Sequence, residues 1–172
     1  MEKAGFSDFA CSIARTLDVI GEWWTLLILR DLFVGMTRYD EIQQDLGIAS
    51  NVLAARLKRL LAAGLIRREA APDDGRSWNY ALTAQGRDLY PVLLSLMAWG
   101  DKWMTPPGRQ PVLMVHAACG QVTAPVPACS VCSKPLPLEE IRFFPGPGGK
   151  EGPGTARVGR YLAAVNPPAA AP

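Results

Sequence analysis

The sequence predicts a mainly α-helical chain with a small β-hairpin wing: a winged helix–turn–helix domain, then a small zinc-ribbon-like β module, then a disordered tail. Three observations predict this. Residues 46–83 read as a short helix's end, a turn, a longer helix, a basic hairpin and a new helix start, the order that places one helix in a DNA groove. His116, Cys119, Cys129 and Cys132 follow with the spacing of two metal knuckles. From Pro145 onward six Gly and six Pro fall within 28 residues, too little apolar surface to offset the entropy of ordering. The corresponding segments are 9–104, 112–144 and 145–172.

Along the chain, Ile13, Leu17 and Ile20 recur with helical period over 12–20, and Gly21 ends that stripe. The run from Trp24 to Phe33 is apolar on most sides, as in a helix at the centre of a domain, and Gly35 closes it. Thr37 with Asp40 has the spacing of a capping box opening a helix over 38–46. Gly47 separates this from a helix whose buried face is Leu53, Leu57, Leu60 and Leu61, with Ser50 at its N-cap. Gly64 ends it. Strands at 65–70 and 78–82 bracket the turn Asp73-Asp74-Gly75-Arg76. Thr83 then caps one long helix over 84–103, and Val112–Val115 reads as a strand leading into the Cys-containing module. Residues 157–165 have the makings of a helical turn or two in the tail.

The 172 residues are 49% hydrophobic, enough for a core, and no apolar run approaches the ~18 residues of a membrane span. The N-terminus lacks a secretory signal, so a cytoplasmic protein without a membrane partner is expected. The formal charge of +2 hides a division: residues 1–49 hold four Lys or Arg against eight Asp or Glu, and residues 50–87 hold seven against three. A basic patch confined to the helix–wing region is the footprint of a phosphate-binding face.

On the wheel of residues 50–63 the leucines point one way, while Asn51, Ala55, Lys58 and Arg59 fall opposite with Arg56 at their flank. Asn can read adenine edges, Arg and Lys can read guanine or phosphate, and Ala allows close approach. Ser50 would offer its hydroxyl or the adjoining helix N–H groups to phosphate. At the wing tip Arg76 and Ser77 are placed to meet the minor groove, with Asp73 and Asp74 weakening the attraction. DNA binding on this pattern requires no cofactor.

The order of motifs resembles the HxlR-type bacterial regulators, relatives of the MarR-like winged helices. The resemblance runs from Cys11-Ser12-Ile13 and Thr16–Gly21 through Trp24–Arg30, Arg38–Ile42, Gly47-Ile48, Leu53, Arg56-Leu57, Leu60, Gly64–Ile66 and Arg68 to Tyr80–Thr83, Gly86, Leu89 and Trp99-Gly100. It covers residues 11–103. It implies a homodimeric transcription factor on a palindromic double-stranded operator, acting as a repressor, often near stress or detoxification genes. This chain departs from the family in carrying Ala49-Ser50 where Ser-Pro is common, Gly75 where the wing has Pro, and Trp23 where a basic residue is typical.

Cys11, at the start of the first helix, has free helix N–H groups beside it, which suits a redox or electrophile sensor; the alternative is an inert interface residue. His116, Cys119, Cys129 and Cys132 suit a structural zinc, since four ligands leave no open catalytic position. Phe9, Trp23, Trp24, Tyr90, Trp99 and Trp103 either line a small-molecule effector pocket or pack as core and interface. The first and last helices of the domain carry more apolar surface than it needs, as a dimer interface would. An enzyme is not expected: there is one His and no Ser–His–Asp set. A thiol redox enzyme built on Cys129 and Cys132, or an interaction module that has lost DNA binding, are the competing functions.

Overall fold

The computed structural model describes residues 5–70 and 78–165. Its contacts divide the chain into two units, residues 24–135 and residues 1–23 with 136–172.

The larger unit holds the predicted helix–turn–helix and wing. Helix α2 (Trp23–Val34) buries Thr25, Ile28, Leu29, Asp31 and Leu32, as its nearly all-round apolar sequence requires. Helix α3 (Tyr39–Leu46) buries Ile42, and α4 (Ser50–Ala62) buries Leu53, Leu57 and Leu60 at helical spacing. Gly47 joins the two with φ +58°, a left-handed turn that a side chain would strain. Strands β1 (Ile66–Ala70) and β2 (Trp78–Leu82) pair antiparallel, in register from Ile66 opposite Leu82 to Ala70 opposite Trp78. The segment before α3 adds to the β2 edge: the Tyr80 amide donates to the Thr37 carbonyl at 2.8 Å, and Arg38 bridges Asn79. Residues 24–103 of this unit are mainly helical with one small antiparallel hairpin, the expected class.

Several local expectations shift. The first residue of α4 is Ser50, and the extended N-cap is Ala49, which has no side chain to cap with. The Ser50 hydroxyl is turned to Tyr39 instead. The box before α3 is displaced by one residue: Glu41 accepts the Arg38 amide at 3.3 Å, and Asp40 takes the Arg38 guanidinium at 3.1 Å. The long helix over 84–103 is broken into α5 (Ala84–Arg87) and α6 (Tyr90–Trp103). Pro91 causes the break, because it lacks an amide proton and its ring would strike the Arg87 carbonyl one turn back. Thr83 does cap: its Oγ1 accepts from the Gly86 amide at 3.1 Å. Gly86 must be glycine, since a Cβ there would lie 2.0 Å from the Leu65 carbonyl oxygen. The strand expected at 112–115 is reduced to β3 (Val115–His116), which pairs β4 (Gln121–Val122).

In the smaller unit α1 (Ser12–Ile20) begins after Cys11 as N-cap. Within the Gly/Pro-rich tail, helix α7 (Val158–Val165) falls on the 157–165 stretch that the sequence marks for a helical turn or two. Glycine permits this order rather than preventing it. Gly154, at φ +72°, lies flush on the Phe9 ring, where a Cβ would fall 2.2 Å from Cδ2. Thr155 is buried beside it and donates to the Lys150 carbonyl at 2.9 Å, and Arg160 pairs with Glu151. Among the described residues, no helix is long and apolar enough to cross a membrane.

Candidate nucleic-acid interface

With Leu53, Leu57 and Leu60 committed to the core, α4 turns Ser50, Asn51, Ala54, Ala55, Lys58 and Arg59 to its exposed side. Arg56 sits half-buried at the edge of that face. Five of the residues predicted to meet DNA (Ser50, Asn51, Ala55, Lys58 and Arg59) therefore share one helix face, with Arg56 flanking it. Arg76 and Ser77 lie outside the described residues.

The start of this helix is held by side chains rather than by a cap. The Tyr39 hydroxyl lies 2.8 Å from both the Ser50 carbonyl oxygen and Ser50 Oγ. Asn51 Oδ1 accepts the Val52 amide at 2.9 Å, which leaves its NH2 group as the outward donor. Gln43 reaches across the turn from α3 to the Ile48 carbonyl at 3.4 Å. From the other side, Arg30 ties α2 to α3 by pairing with both Asp31 and Asp45 at 2.6 Å. Asp31 is fully buried, and burial pushes its carboxyl above the usual range while Arg30 pulls it back.

The wing adds cations that the recognition-helix pattern alone did not single out. Arg67 and Arg68 are exposed on β1. The Arg68 guanidinium lies 5.0 Å from the centre of the Trp78 ring, a cation–π pair at the exposed end of the hairpin face that buries Ile66 and Tyr80. Arg67 is spent locally on Glu69 and on the Leu82 carbonyl. The signal for the Arg68–Trp78 pair was available in the alternation of β1 and β2, whose register sets Arg68 opposite Tyr80 and diagonal to Trp78. Electrostatically the face is basic, and its acidic counterweights are carried by α2 and α3.

The cysteines separate into three places. Cys11 is half-buried at the start of α1. Cys119 Sγ lies 3.4 Å from His116 Nδ1, and Cys129 Sγ accepts the Val131 amide at 3.4 Å. Amide donors from Cys132 and Val131 hold the Cys129 thiol below its ordinary range. Among the described residues, no three His, Cys, Asp or Glu side chains stand together as a set that could hold a metal ion. Of the six aromatics considered for an effector pocket, Trp23, Trp99 and Trp103 are strongly exposed, and Tyr90 lies against Phe33 with ring centres 5.1 Å apart.

Residues 19–107 match the family model described as HxlR-like helix-turn-helix. The chain is 37% identical over 139 residues to an uncharacterized HTH-type transcriptional regulator of Mycobacterium tuberculosis, spanning 81% of this chain and 88% of that protein. Among solved structures it is similar to PA1607, a transcription-factor candidate, with a TM-score of 0.74 and 36% identity over 82% of this chain and 99% of that one. It is also similar to the redox regulator HypR in its oxidized form, with a TM-score of 0.50 and 31% identity over 54% of this chain and 96% of that one.

Proposed function

This chain belongs to the HxlR-like helix-turn-helix family, and from that premise we propose that it is a transcriptional regulator that binds double-stranded DNA sequence-specifically, as a homodimeric repressor on a palindromic operator. The observation that carries the proposal is the division of α4 into a leucine face sunk in the core and a face of Asn51, Ala55, Lys58 and Arg59 turned outward. Lys58 and Arg59 supply phosphate affinity, Asn51 and Arg56 supply base discrimination, and the small Ala55 lets the helix axis approach the groove. Arg68, Arg76 and Ser77 extend the contact along the wing. Residues 9–104 carry binding and dimerisation on this proposal, and 112–144 are a separate module. No cofactor takes part in DNA contact.

Footprinting on the duplex upstream of the protein's own gene tests this. The expected result is a protected, roughly two-fold symmetric stretch, with affinity falling linearly on a log–log plot against salt. Equal affinity for operator and random duplex would remove the specificity. Failure to bind any duplex at low salt would favour an interaction module that shares the fold.

A redox response is the second reading, favoured by the position of Cys11 at the N-cap of α1 with no side-chain hydrogen bond in the cap, and by the likeness to the redox regulator HypR. Cys11 is the only cysteine of its unit, so oxidation would join it to a small thiol or to a second copy of the chain. Operator release by diamide that is abolished in Cys11→Ser would support it, and unchanged release in that variant would end it.

A further inference from the structure

The segments His116–Gly120 and Cys129–Ser133 are built on the same backbone turn. In the first, the Gly120 amide donates to the His116 carbonyl at 2.8 Å, and Gly120 is left-handed at φ +67°. In the second, the Ser133 amide donates to the Cys129 carbonyl at 2.8 Å, and Ser133 is left-handed at φ +60°. Ser133 is the one non-glycine residue with positive φ among the described residues, a conformation that side-chain-bearing residues rarely adopt. Each turn is flanked by a paired backbone segment, β3 with β4 for the first and the Ala128–Pro135 bridge for the second.

Both turns set a donor at the first position and a Cys at the fourth. Zn–S and Zn–N bonds of about 2.3 and 2.0–2.1 Å at a tetrahedral angle separate the two ligand atoms by about 3.5 Å. Cys119 Sγ and His116 Nδ1 are 3.4 Å apart, which is one edge of such a tetrahedron. In the second turn Cys129 Sγ receives a backbone N–H, from Val131, the arrangement that stabilises a thiolate ligand. Eight residues join the turns, none of them charged.

We propose that His116, Cys119, Cys129 and Cys132 form one structural zinc site, its two halves preformed as matching turns that close on the metal. No three of these side chains are grouped among the described residues, so on this proposal ion binding is what draws the two turns together. Three thiolates and one neutral imidazole leave no open position, so the site is structural. This inference is independent of the DNA-binding proposal.

The test uses the full-length protein purified under reducing conditions. Elemental analysis should give one zinc per chain. After chelation, cobalt(II) should restore one equivalent with the intense visible bands of a tetrahedral thiolate site. Cys129→Ser with Cys132→Ser should lose the metal. His116→Cys should keep one equivalent and shift the cobalt bands toward an all-thiolate site, a result that a misfolded module would not give. Absence of bound zinc and of cobalt uptake would overturn the proposal. So would uptake that survives the double serine change, or one metal shared between two chains.

Discussion

The Tyr39 hydroxyl stands 2.8 Å from the Ser50 carbonyl oxygen and 2.8 Å from Ser50 Oγ, pinning the first residue of α4 to the first residue of α3. The phenol donates to the carbonyl, and the serine hydroxyl can then donate back to the phenol oxygen. With Ala49 as N-cap, these bonds do for the helix start what a capping side chain would do elsewhere.

Tyr39→Phe removes both bonds and leaves the ring in place. A net hydrogen bond is worth about 0.5–1.5 kcal/mol, and exposure puts each of these near the lower end, so a loss of about 1 kcal/mol is expected. Thermal unfolding should report that loss, and operator affinity should fall several-fold as the helix start frays. Unchanged melting and unchanged binding would show that the pair does not position α4.

On the recognition face, Lys58→Ala should weaken binding to every duplex alike and reduce the salt slope by about one, as loss of one phosphate contact does. Asn51→Ala should instead lower the ratio of specific to non-specific affinity, a good base contact being worth about 1–3 kcal/mol. Because Asn51 Oδ1 already accepts the Val52 amide, its NH2 is the group left to meet a base. Asn51→Asp therefore keeps the helix start but removes the donor, and should lose specificity as fully as the alanine. Measured affinities for operator and random duplex decide it. Parental ratios in both Asn51 variants would make some other residue the reader.

The legible part of this fold was whatever the leucine spacing decided. Leu53, Leu57 and Leu60 are buried as their period requires, and that alone oriented Asn51, Lys58 and Arg59 outward. What failed were one-residue matters settled by tertiary partners. Ser50 reads as a good N-cap, but Tyr39, eleven residues away, claims its hydroxyl. The apolar stripe over 84–103 reads as one helix, and Pro91 within it marks where the helix divides. The tail shows a third limit: composition describes Gly154 as flexible, and only the Phe9 ring gives it something to lie against. Arg76 and Ser77 fall outside the described residues, so the wing tip rests on sequence alone.

Asp31 gives a pH signature. Burial raises its carboxyl above the usual value even with Arg30 at 2.6 Å. For a raised acid the stabilising contribution is complete below the unfolded-state value near 3.8 and is lost as pH rises through the folded-state value. Asp31→Asn carries no such charge. Its melting temperature should therefore gain on that of the parent as pH is raised from 4 toward neutrality, in parallel scans of the two proteins. A constant difference across that range would mean that Arg30 fully compensates the buried charge.

Helix α6 buries none of its residues completely, and Leu96, Trp99 and Trp103 are 50%, 59% and 63% exposed. In its own unit α1 likewise leaves Ile13 and Leu17 open. Large apolar side chains on two helices that a single chain does not cover are the surface a second copy would bury. Leu96→Glu with Trp99→Glu should cost an isolated chain little, since both positions face water. In a dimer the same change would press four carboxylates into an apolar contact, at a cost that burial of unpaired charge makes prohibitive. Sedimentation should then show monomers where the parent is dimeric. Affinity for a full palindrome should drop toward that for a half-site, because the second binding event loses its tether. A double variant that sediments as a dimer and still prefers the full palindrome would place the interface on some surface other than α6.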